Sequence, residues 1–234
     1  MSNNRIYLSK IDPLLPEHHY QELLHRISAE NRTRCQGFRL REDALRTLYG
    51  ELMVRHLLCR DFAWNNEAIA FGKDRDGKPF VKDFPFHFNL SHSGDFVVCA
   101  FGTQEIGVDV EQIKPIDLQL AKRYFHPSEH RYLLAQKEDQ RLDCFFSLWT
   151  LKESYMKYLG KGMSIPLDSF FFQISATSIS VTDLSRNQKP HFKQFPIDGY
   201  KLSLCQSTDD FPCSVEEIDI AEMKLHTTER DHPK

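Results

Sequence analysis

The spacing of hydrophobic positions predicts a mixed α+β protein. Apolar residues recur with helical periodicity in five segments, and shorter runs rich in β-branched and aromatic residues are bounded by turn residues. Predicted helices cover residues 17–29, 41–61, 118–125, 129–134 and 143–160. Predicted strands cover residues 5–9, 68–72, 86–90, 97–101, 106–110, 170–174, 179–181, 191–195 and 200–205. Gly102 and Thr103 are expected to join the strands at 97–101 and 106–110 as a hairpin.

Two carboxylates share one face of the strand that begins at residue 106. Its β-branched residues alternate with Gly107, Asp109 and Glu111, so Asp109 and Glu111 lie about 7 Å apart at the backbone. At that separation both carboxylates can bind one cation, and Mg²⁺ prefers such hard oxygen ligands. The alternative is the solvated face of an antiparallel strand. Because Asp and Glu are depleted in strands, the pattern slightly favours a functional role over a solvated face.

A third carboxylate, Glu153, lies on the flank of the apolar stripe of the predicted helix 143–160. Aromatic residues border this position, so the carboxylate is expected to be partly desolvated. Lys157 follows four residues later, and the alternative interpretation is an ordinary surface ion pair along the helix. With Asp109 and Glu111, the set comprises three carboxylates and an ammonium. Such a set suits a divalent metal that holds a phosphate and predicts an enzyme that handles phosphoryl groups.

Composition is that of an ordinary globular protein. The chain has 234 residues, of which 41% are hydrophobic and 27% charged, enough for one large domain or two small ones. A net charge of −3 argues against a nucleic-acid-binding protein. The six cysteines show no zinc-ligand spacing, and no secretory segment or membrane-length apolar run is present. These features predict a cytoplasmic protein with reduced thiols.

Three separated segments resemble the signature of the 4′-phosphopantetheinyl transferases of the surfactin-synthetase-activating (Sfp) type. The segments are Phe88-Asn89-Leu90-Ser91-His92-Ser93-Gly94, Gly107-Val108-Asp109-Val110-Glu111 and Trp149-Thr150-Leu151-Lys152-Glu153-Ser154-Tyr155-Met156-Lys157. The resemblance also includes residues 39–50, 77–79, 114–116 and 160–170, and it extends in order over residues 3–205. Three motifs in the same order and with similar spacing are highly specific to this family.

This resemblance implies a reaction and a metal site. The family transfers the 4′-phosphopantetheine arm of coenzyme A to a serine of an acyl or peptidyl carrier protein and releases adenosine 3′,5′-bisphosphate. Asp109, Glu111 and Glu153 are the implied ligands of Mg²⁺, with Mn²⁺ as an alternative. Lys157 would balance charge on the pyrophosphate or on the leaving bisphosphate. Either Glu153 or Glu111, directly or through a metal-bound water, would accept the proton of the carrier serine.

The resemblance also implies contacts to coenzyme A. Ser91 and His92 would hold its phosphates, and a protonated His92 would bind phosphate better than a neutral one. The other implied contacts are Arg46 and Thr47 near the adenine and the 3′-phosphate, Lys78 at the same nucleotide, Lys157 at the pyrophosphate and Arg34 at the 3′-phosphate. Asn31 stands where the family often has a lysine. We therefore expect somewhat weaker or rearranged nucleotide contacts.

The family's architecture implies two similar α+β lobes related by a pseudo-twofold axis, with the active site in the cleft between them. The N-terminal lobe would span residues 1–104 and the C-terminal lobe residues 105–225, followed by a disordered tail at 226–234. The expected partners are apo carrier proteins or the carrier domains of nonribosomal peptide or polyketide synthetases, and the protein is expected to be a monomer. Residues 114–125 could contact the carrier; alternatively, their apolar side chains belong to the helix core.

Three other classes remain as alternatives. One is a different metal-dependent phosphotransferase or nucleotide hydrolase, although the chain has no P-loop motif. A second is an inactive homologue that only binds carrier proteins, which the complete set of Asp109, Glu111, Glu153 and Lys157 disfavours. The third is a transferase dedicated to fatty-acid synthesis, a class whose chains are usually about half this length and trimeric.

Overall fold

Each half of the chain folds into a sheet that packs against one long helix. The computed structural model describes residues 4–175, 177–186 and 189–220. Within these residues the helices are α1 (Glu17–Leu24), α2 (Ala29–Gly37), α3 (Arg41–Phe62), α4 (Gln119–Tyr124), α5 (Pro127–Leu134) and α6 (Glu138–Leu159). The strands are β1 (Arg5–Lys10), β2 (Phe71–Lys73), β3 (Pro79–Val81), β4 (His87–Ser93), β5 (Phe96–Gly102), β6 (Ile106–Gln112), β7 (Phe170–Ile174), β8 (Ile179–Asp183), β9 (His191–Ile197), β10 (Tyr200–Gln206) and β11 (Glu216–Glu217).

Most predicted elements are confirmed in type, and the main differences lie at their ends. The predicted helix 17–29 ends at Leu24, and a separate helix starts after Ser28. Ser28 acts as the N-cap of α2 because its hydroxyl accepts the Asn31 N–H, which satisfies a free donor of the first turn. Helix α6 begins at Glu138 and is longer than predicted. Strand β4 continues through Ser93, so Ser91 and His92 lie within the strand and not after it.

The predicted hairpin between β5 and β6 is wrong. In the sheet order β11-β1-β5-β4, strand β5 pairs with β1 and β4, whereas β6 belongs to a second sheet of order β6-β10-β9. Gly107 explains the placement of β6, because a Cβ there would lie only 2.1 Å from the Ser154 carbonyl oxygen of α6. The absent side chain lets β6 lie directly against α6, and the chain therefore passes from one sheet to the other near residue 105.

Three hydrophobic clusters hold the layers together. The first packs α3 against the N-terminal sheet, with Leu48, Met53 and Cys99 among its members. The second packs α6 against the C-terminal lobe, with Leu151 and Tyr155 at its centre. The third lies between the two sheets, and its fully buried members include Val98, Ala100, Ile106, Val108, Val110, Leu202 and Leu204. Each large aliphatic side chain buried in this way stabilises the fold by about 1.5–3 kcal/mol relative to exposure.

The two-lobe α+β class is confirmed, but the end of the described chain packs on the N-terminal lobe. Helices α3 and α6 each have 22 residues and each covers its own sheet. Strand β11 pairs in parallel with β1, and Ile220 is buried in the first cluster. The last described residues therefore return to the N-terminal lobe. The predicted disordered tail at 226–234 lies outside the described residues.

Two further expectations concern thiols and membranes. All six cysteines are free thiols, and Cys35, Cys99 and Cys205 are buried. Burial raises the pKa of the Cys35 thiol to about 11, so it behaves as a small apolar side chain. In the part of the chain that the structure describes, no helix combines the length and apolar character that a membrane span requires.

A buried ion pair fixes α6 to the rest of the C-terminal lobe. Lys152 Nζ lies 2.8 Å from Glu129 Oε2, and both side chains are almost fully buried. Lys152 also donates to the carbonyl oxygens of Leu167 and Phe170, while Glu129 accepts the Phe172 N–H. Burial raises the pKa of Glu129 and lowers the pKa of Lys152. Lys152 belongs to the third signature segment, yet these contacts give it a role in holding the fold together.

Replacing Lys152 with methionine should lower the free energy of unfolding by about 3 kcal/mol or more, because Glu129 would be left buried without its partner. Urea denaturation monitored by circular dichroism would measure the loss. The double variant Glu129→Gln, Lys152→Met removes both charges and should be more stable than the single variant. Equal stability of the single and double variants would contradict an important buried pair.

Candidate active site

Strand β6 and helix α6 bring the predicted carboxylates together. Asp109 and Glu111 project from β6, and Glu153 and Lys157 project from α6. The close approach at Gly107 places the strand beside the helix. Residues about forty positions apart in the sequence thus share one site at the junction of the two sheets.

Asp109 is the most deeply buried member of this site, with only 4% of its surface exposed. Its Oδ1 accepts hydrogen bonds from Lys157 Nζ at 2.7 Å and from Ser91 Oγ at 2.8 Å. Its Oδ2 is buried and has no hydrogen-bond partner among the described residues. Burial raises the pKa of Asp109, while Lys157 and Ser91 act in the opposite direction. A buried carboxylate oxygen without a partner is costly and points to a ligand.

Burial, with a smaller contribution from neighbouring carboxylates, raises the pKa of both Glu153 and Glu111. The pKa of Glu153 is raised to about 7, first by burial and then by the charge of Asp109. Burial also raises the pKa of Glu111, with a further contribution from Asp109, although Ser93 Oγ donates to Glu111 Oε2 at 2.6 Å. A bound cation would offset both the burial of these carboxylates and their smaller mutual repulsion.

Lys157 does not form the surface ion pair with Glu153 that the helical spacing allowed. It pairs instead with Asp109 across the junction between α6 and β6, with 27% of its side chain exposed. It also donates to Ser91 Oγ at 3.0 Å and to the Val108 carbonyl oxygen at 3.2 Å. The ammonium is therefore anchored inside the carboxylate cluster, where it offsets part of the negative charge.

The carboxylate oxygens of Asp109, Glu111 and Glu153 are of the chemical type that binds a hard divalent cation. In the described ranges, no three Asp, Glu, His or Cys side chains already converge as a metal site. Ser93 holds the Glu111 carboxylate, and Lys157 holds one oxygen of Asp109. The unpartnered Asp109 Oδ2 and the buried Glu153 carboxylate, whose pKa is raised, are nevertheless hard oxygen donors of the kind that such a cation prefers.

A cavity of about 430 Å³ lies on the other face of β4, between α2, α3 and β2. Of the residues predicted to bind coenzyme A, Arg34, Arg46, Thr47 and His92 line it. Arg46 is held by ion pairs to Glu42 and Asp43, and it donates to the Gly94 carbonyl oxygen. The cavity is large enough for a nucleotide-sized ligand, and its cationic side chains suit phosphate.

His92 lies in this cavity with a lowered pKa. The surrounding protein disfavours its charged form, first through desolvation and then through the charges of Lys157 and Arg46. Part of the side chain is exposed to solvent, which limits the effect of desolvation. The two neighbouring cations also lower the pKa of His92. His92 is therefore mainly neutral at neutral pH and can offer a ring N–H to a phosphate without a full charge.

Ser91 and Lys78 do not line the cavity. Because side chains alternate along β4, Leu90 and His92 face the cavity whereas Ser91 and Ser93 face the carboxylates. Lys78 lies at the lobe junction, where it pairs with Glu105 at 2.6 Å and donates to the Ile106 carbonyl oxygen. Of the seven predicted contacts to coenzyme A, four therefore line the cavity, whereas Ser91, Lys78 and Lys157 do not.

Sequence reasoning missed two groups that shape the cavity. Lys73 of β2 lines it and forms an ion pair with Glu30 of α2 at 2.5 Å. Glu51 is buried beneath it and accepts from Asn31 Nδ2 at 2.6 Å and from Arg55 Nε at 2.7 Å. No local pattern in the sequence shows that Lys73 faces α2. A buried glutamate four residues before an arginine was a usable signal for the Glu51–Arg55 pair.

The proposed carrier-contacting segment, residues 114–125, places two of its side chains in the core. Ala121 and Phe125 are buried in the second hydrophobic cluster, and Leu118 and Tyr124 pack against it while half-buried. The core interpretation is therefore correct for Ala121 and Phe125. A charged substitution at Leu118 would disturb packing as well as any partner contact, so it does not isolate carrier binding.

The two lobes, the carboxylate cluster and the cationic cavity suit an enzyme that handles phosphoryl groups. Residues 105–215 match the 4′-phosphopantetheinyl transferase superfamily, and residues 15–104 match the family described as 4′-phosphopantetheinyl transferase, N-terminal. The chain belongs to the 4′-phosphopantetheinyl transferase family. The resemblance seen in its three sequence segments is thereby confirmed.

Several relatives are similar over nearly the whole chain. The 4′-phosphopantetheinyl transferase Sfp of Bacillus subtilis (strain 168) is 38% identical over 222 residues, which cover 94% of this chain and 99% of that protein. The 4′-phosphopantetheinyl transferase ffp of Bacillus subtilis is 39% identical and covers 92% of this chain and 97% of its own length. The 4′-phosphopantetheinyl transferase gsp of Aneurinibacillus migulanus is 36% identical, with 84% and 83% covered.

Proposed function

We propose that this protein transfers the 4′-phosphopantetheine arm of coenzyme A to a serine of apo acyl or peptidyl carrier domains, releasing adenosine 3′,5′-bisphosphate. The carrier domains of nonribosomal peptide or polyketide synthetases are the proposed substrates, and a cytoplasmic monomer is the proposed form. The observation that carries the proposal is the carboxylate cluster of Asp109, Glu111 and Glu153 with Lys157, separated only by β4 from a cationic cavity.

The transfer exchanges one phosphorus–oxygen bond for another. The carrier serine oxygen forms a bond to the phosphorus on the pantetheine side of the pyrophosphate. The bond from that phosphorus to the bridging oxygen breaks, and the electron pair leaves with adenosine 3′,5′-bisphosphate. The serine proton passes to a carboxylate. Such a reaction requires positioning and charge stabilisation more than covalent catalysis.

The residues of the cluster would have distinct roles. Asp109, Glu111 and Glu153 would hold Mg²⁺ or Mn²⁺, and such an ion neutralises charge on the pyrophosphate oxygens when bound. Lys157 would stabilise the negative charge that develops on the leaving phosphate. Glu153 is one candidate acceptor of the serine proton; burial raises its pKa to about 7, and a bound cation would lower that pKa again. Glu111 is the alternative acceptor, with a pKa that burial also raises.

The cavity would hold the nucleotide end of coenzyme A. Arg34, Arg46 and His92 provide donors for the 3′-phosphate and the pyrophosphate, and Thr47 lines the same space. Ser91 would act through Asp109 and Lys157, which its hydroxyl contacts. Lys78 would be positioned near the nucleotide only if its pair with Glu105 opens. Lys73 adds a cation on the side of α2 where Asn31 carries none.

Intact-protein mass spectrometry of a purified apo peptidyl carrier domain tests this function. The domain is incubated with the protein, coenzyme A and Mg²⁺, and parallel samples contain EDTA or the Glu153→Gln variant. We expect a phosphopantetheine-sized mass gain on the carrier serine that is absent with EDTA and much slower with Glu153→Gln. No gain on peptidyl, acyl or aryl carrier domains, despite binding of coenzyme A, would instead favour an inactive carrier-binding homologue or a different phosphotransferase.

Replacing Lys73 with alanine should selectively weaken recognition of the 3′-phosphate. We expect the KM for coenzyme A to rise by about three- to tenfold, the effect of one partly exposed charge-assisted contact. The KM for 3′-dephospho-coenzyme A should not change, because that substrate lacks the phosphate. Lys82→Ala is the matched control, since Lys82 is exposed and lies just beyond β3 outside the cavity lining. An equal rise for both substrates would contradict the assignment.

A further inference from the structure

The edge strands of the two sheets run side by side without backbone pairing. Strand β4 is the outer strand of the N-terminal sheet, and β6 is the outer strand of the C-terminal sheet. Three side chains of β4 accept hydrogen bonds from three backbone N–H groups of β6, and each pair is 19 residues apart in sequence. A constant separation means that the two strands are parallel and in register.

The bridging side chains occupy alternate positions of β4. Asn89 Oδ1 accepts from Val108 N at 2.9 Å, Ser91 Oγ accepts from Val110 N at 3.2 Å, and Ser93 Oγ accepts from Gln112 N at 3.2 Å. Backbone donors at a covered sheet edge are costly when they have no partner. The three side chains thus replace the missing backbone ladder and set the distance between the lobes.

The two serines perform a second task with the same hydroxyl groups. Ser91 Oγ donates to Asp109 Oδ1 at 2.8 Å, and Ser93 Oγ donates to Glu111 Oε2 at 2.6 Å. A hydroxyl has one hydrogen and two acceptor sites. Ser91 uses all three, because it also accepts from Lys157 Nζ. Each serine therefore links the backbone of β6 to a carboxylate on the same strand.

We propose that Asn89, Ser91 and Ser93 form a hydrogen-bonded comb that couples lobe spacing to carboxylate orientation, and that Ser93 is the positioning residue of Glu111. The comb itself rests on contacts within the chain, whereas the role of Glu111 rests on the proposed function. Asn89 contacts the backbone of β6 but neither carboxylate of that strand. Asn89 therefore stabilises only the junction between β4 and β6, which we call the seam. Ser93 contacts both the seam and a carboxylate of the site.

Four variants separate these two tasks. Ser93→Ala removes both bonds, Ser93→Thr keeps the hydroxyl, and Asn89→Ala removes only a seam bond. Ser169→Ala is the matched control, because the Ser169 hydroxyl is exposed and bonds only the Pro166 carbonyl oxygen. Hydrogen–deuterium exchange of peptides covering residues 106–112 reports the seam. Electron paramagnetic resonance titration with Mn²⁺ alone reports the carboxylates, and steady-state kinetics separate kcat from the KM for coenzyme A.

We expect faster exchange in β6 for both Ser93→Ala and Asn89→Ala. Ser93→Ala should in addition weaken Mn²⁺ binding about tenfold or more, as loss of a ligand-orienting contact commonly does, and should lower kcat at unchanged KM. Asn89→Ala should weaken Mn²⁺ binding less, and Ser93→Thr should resemble the wild type in all three measurements.

Several results would overturn the proposal. Unchanged hydrogen–deuterium exchange of β6 in both Ser93→Ala and Asn89→Ala would contradict the proposed comb. Three results would contradict the positioning role of Ser93. Ser93→Ala could bind Mn²⁺ as tightly as the wild type, or Ser93→Thr and Ser93→Ala could lose equal affinity. The third is a wild-type protein that does not bind Mn²⁺. Exchange and Mn²⁺ binding do not require a carrier protein, so these outcomes are distinguishable from failure of the transfer reaction.

Discussion

Glu153→Gln should reduce kcat by about 10²- to 10⁴-fold, the range expected when a proton acceptor is lost at an active site. Glutamine has nearly the same shape as glutamate but carries no negative charge, so it neither accepts the serine proton nor attracts a cation. Carrier modification followed by mass spectrometry under single-turnover conditions would measure the loss. Turnover close to that of the wild type would remove Glu153 from the proposed mechanism.

The same variant should be more stable than the wild type when no divalent metal is present. The pKa of Glu153 is raised from 4.5 to about 7 in the folded protein, so the folded state disfavours the ionised form. Below pH 4.5 the side chain is neutral in both states and contributes no penalty. As pH rises from 4.5 to 7, the unfolded chain ionises first and stability is lost. Above pH 7 the full penalty, about 1–3 kcal/mol, is present.

Thermal unfolding of both proteins in EDTA at two pH values tests this sign. The Glu153→Gln protein should unfold at a higher temperature than the wild type at pH 8, and the difference should disappear near pH 4. Addition of Mg²⁺ should stabilise the wild type more than the variant, because a bound cation relieves the repulsion among the carboxylates. A variant that is less stable at pH 8 would indicate that ionised Glu153 is well compensated in the folded state.

Gly107→Ala should damage both stability and activity. A Cβ at this position would lie 2.1 Å from the Ser154 carbonyl oxygen and 2.4 Å from the Tyr158 nitrogen, both of which are backbone atoms of α6. The strand must therefore move away from the helix, and Asp109 moves with it. Overpacking of this kind costs about 1–3 kcal/mol or more. A displacement of about 1 Å between reacting groups can lower the rate about a hundredfold.

Gly37→Ala is the matched control, since a Cβ there meets no atom within 4 Å. It should leave activity unchanged and the unfolding temperature nearly so. Urea denaturation and the carrier-modification assay would be carried out on both alanine variants. If Gly107→Ala kept wild-type activity, the close approach of β6 to α6 would not be needed to assemble the carboxylate cluster.

The sequence by itself determined the class of the protein and the members of its principal cluster. Alternation in residues 106–111 is a local property of an extended chain, and it correctly placed Asp109 and Glu111 on one strand. Helical periodicity likewise placed Glu153 and Lys157 on one helix. The three signature segments are by themselves specific to the family. These conclusions hold because they depend on residue types and spacings within single elements.

Only the tertiary structure decided which of these groups touch. Lys157 pairs with Asp109, 48 residues away, and not with Glu153 four residues before it. Strand β6 is not paired with β5. It is held to β4 by bonds between side chains and backbone that no hydrophobic pattern encodes. Lys73 faces α2 because a hairpin folds over the cavity. Local periodicity specifies the direction of a side chain on its own element, whereas its partner depends on how separate elements pack.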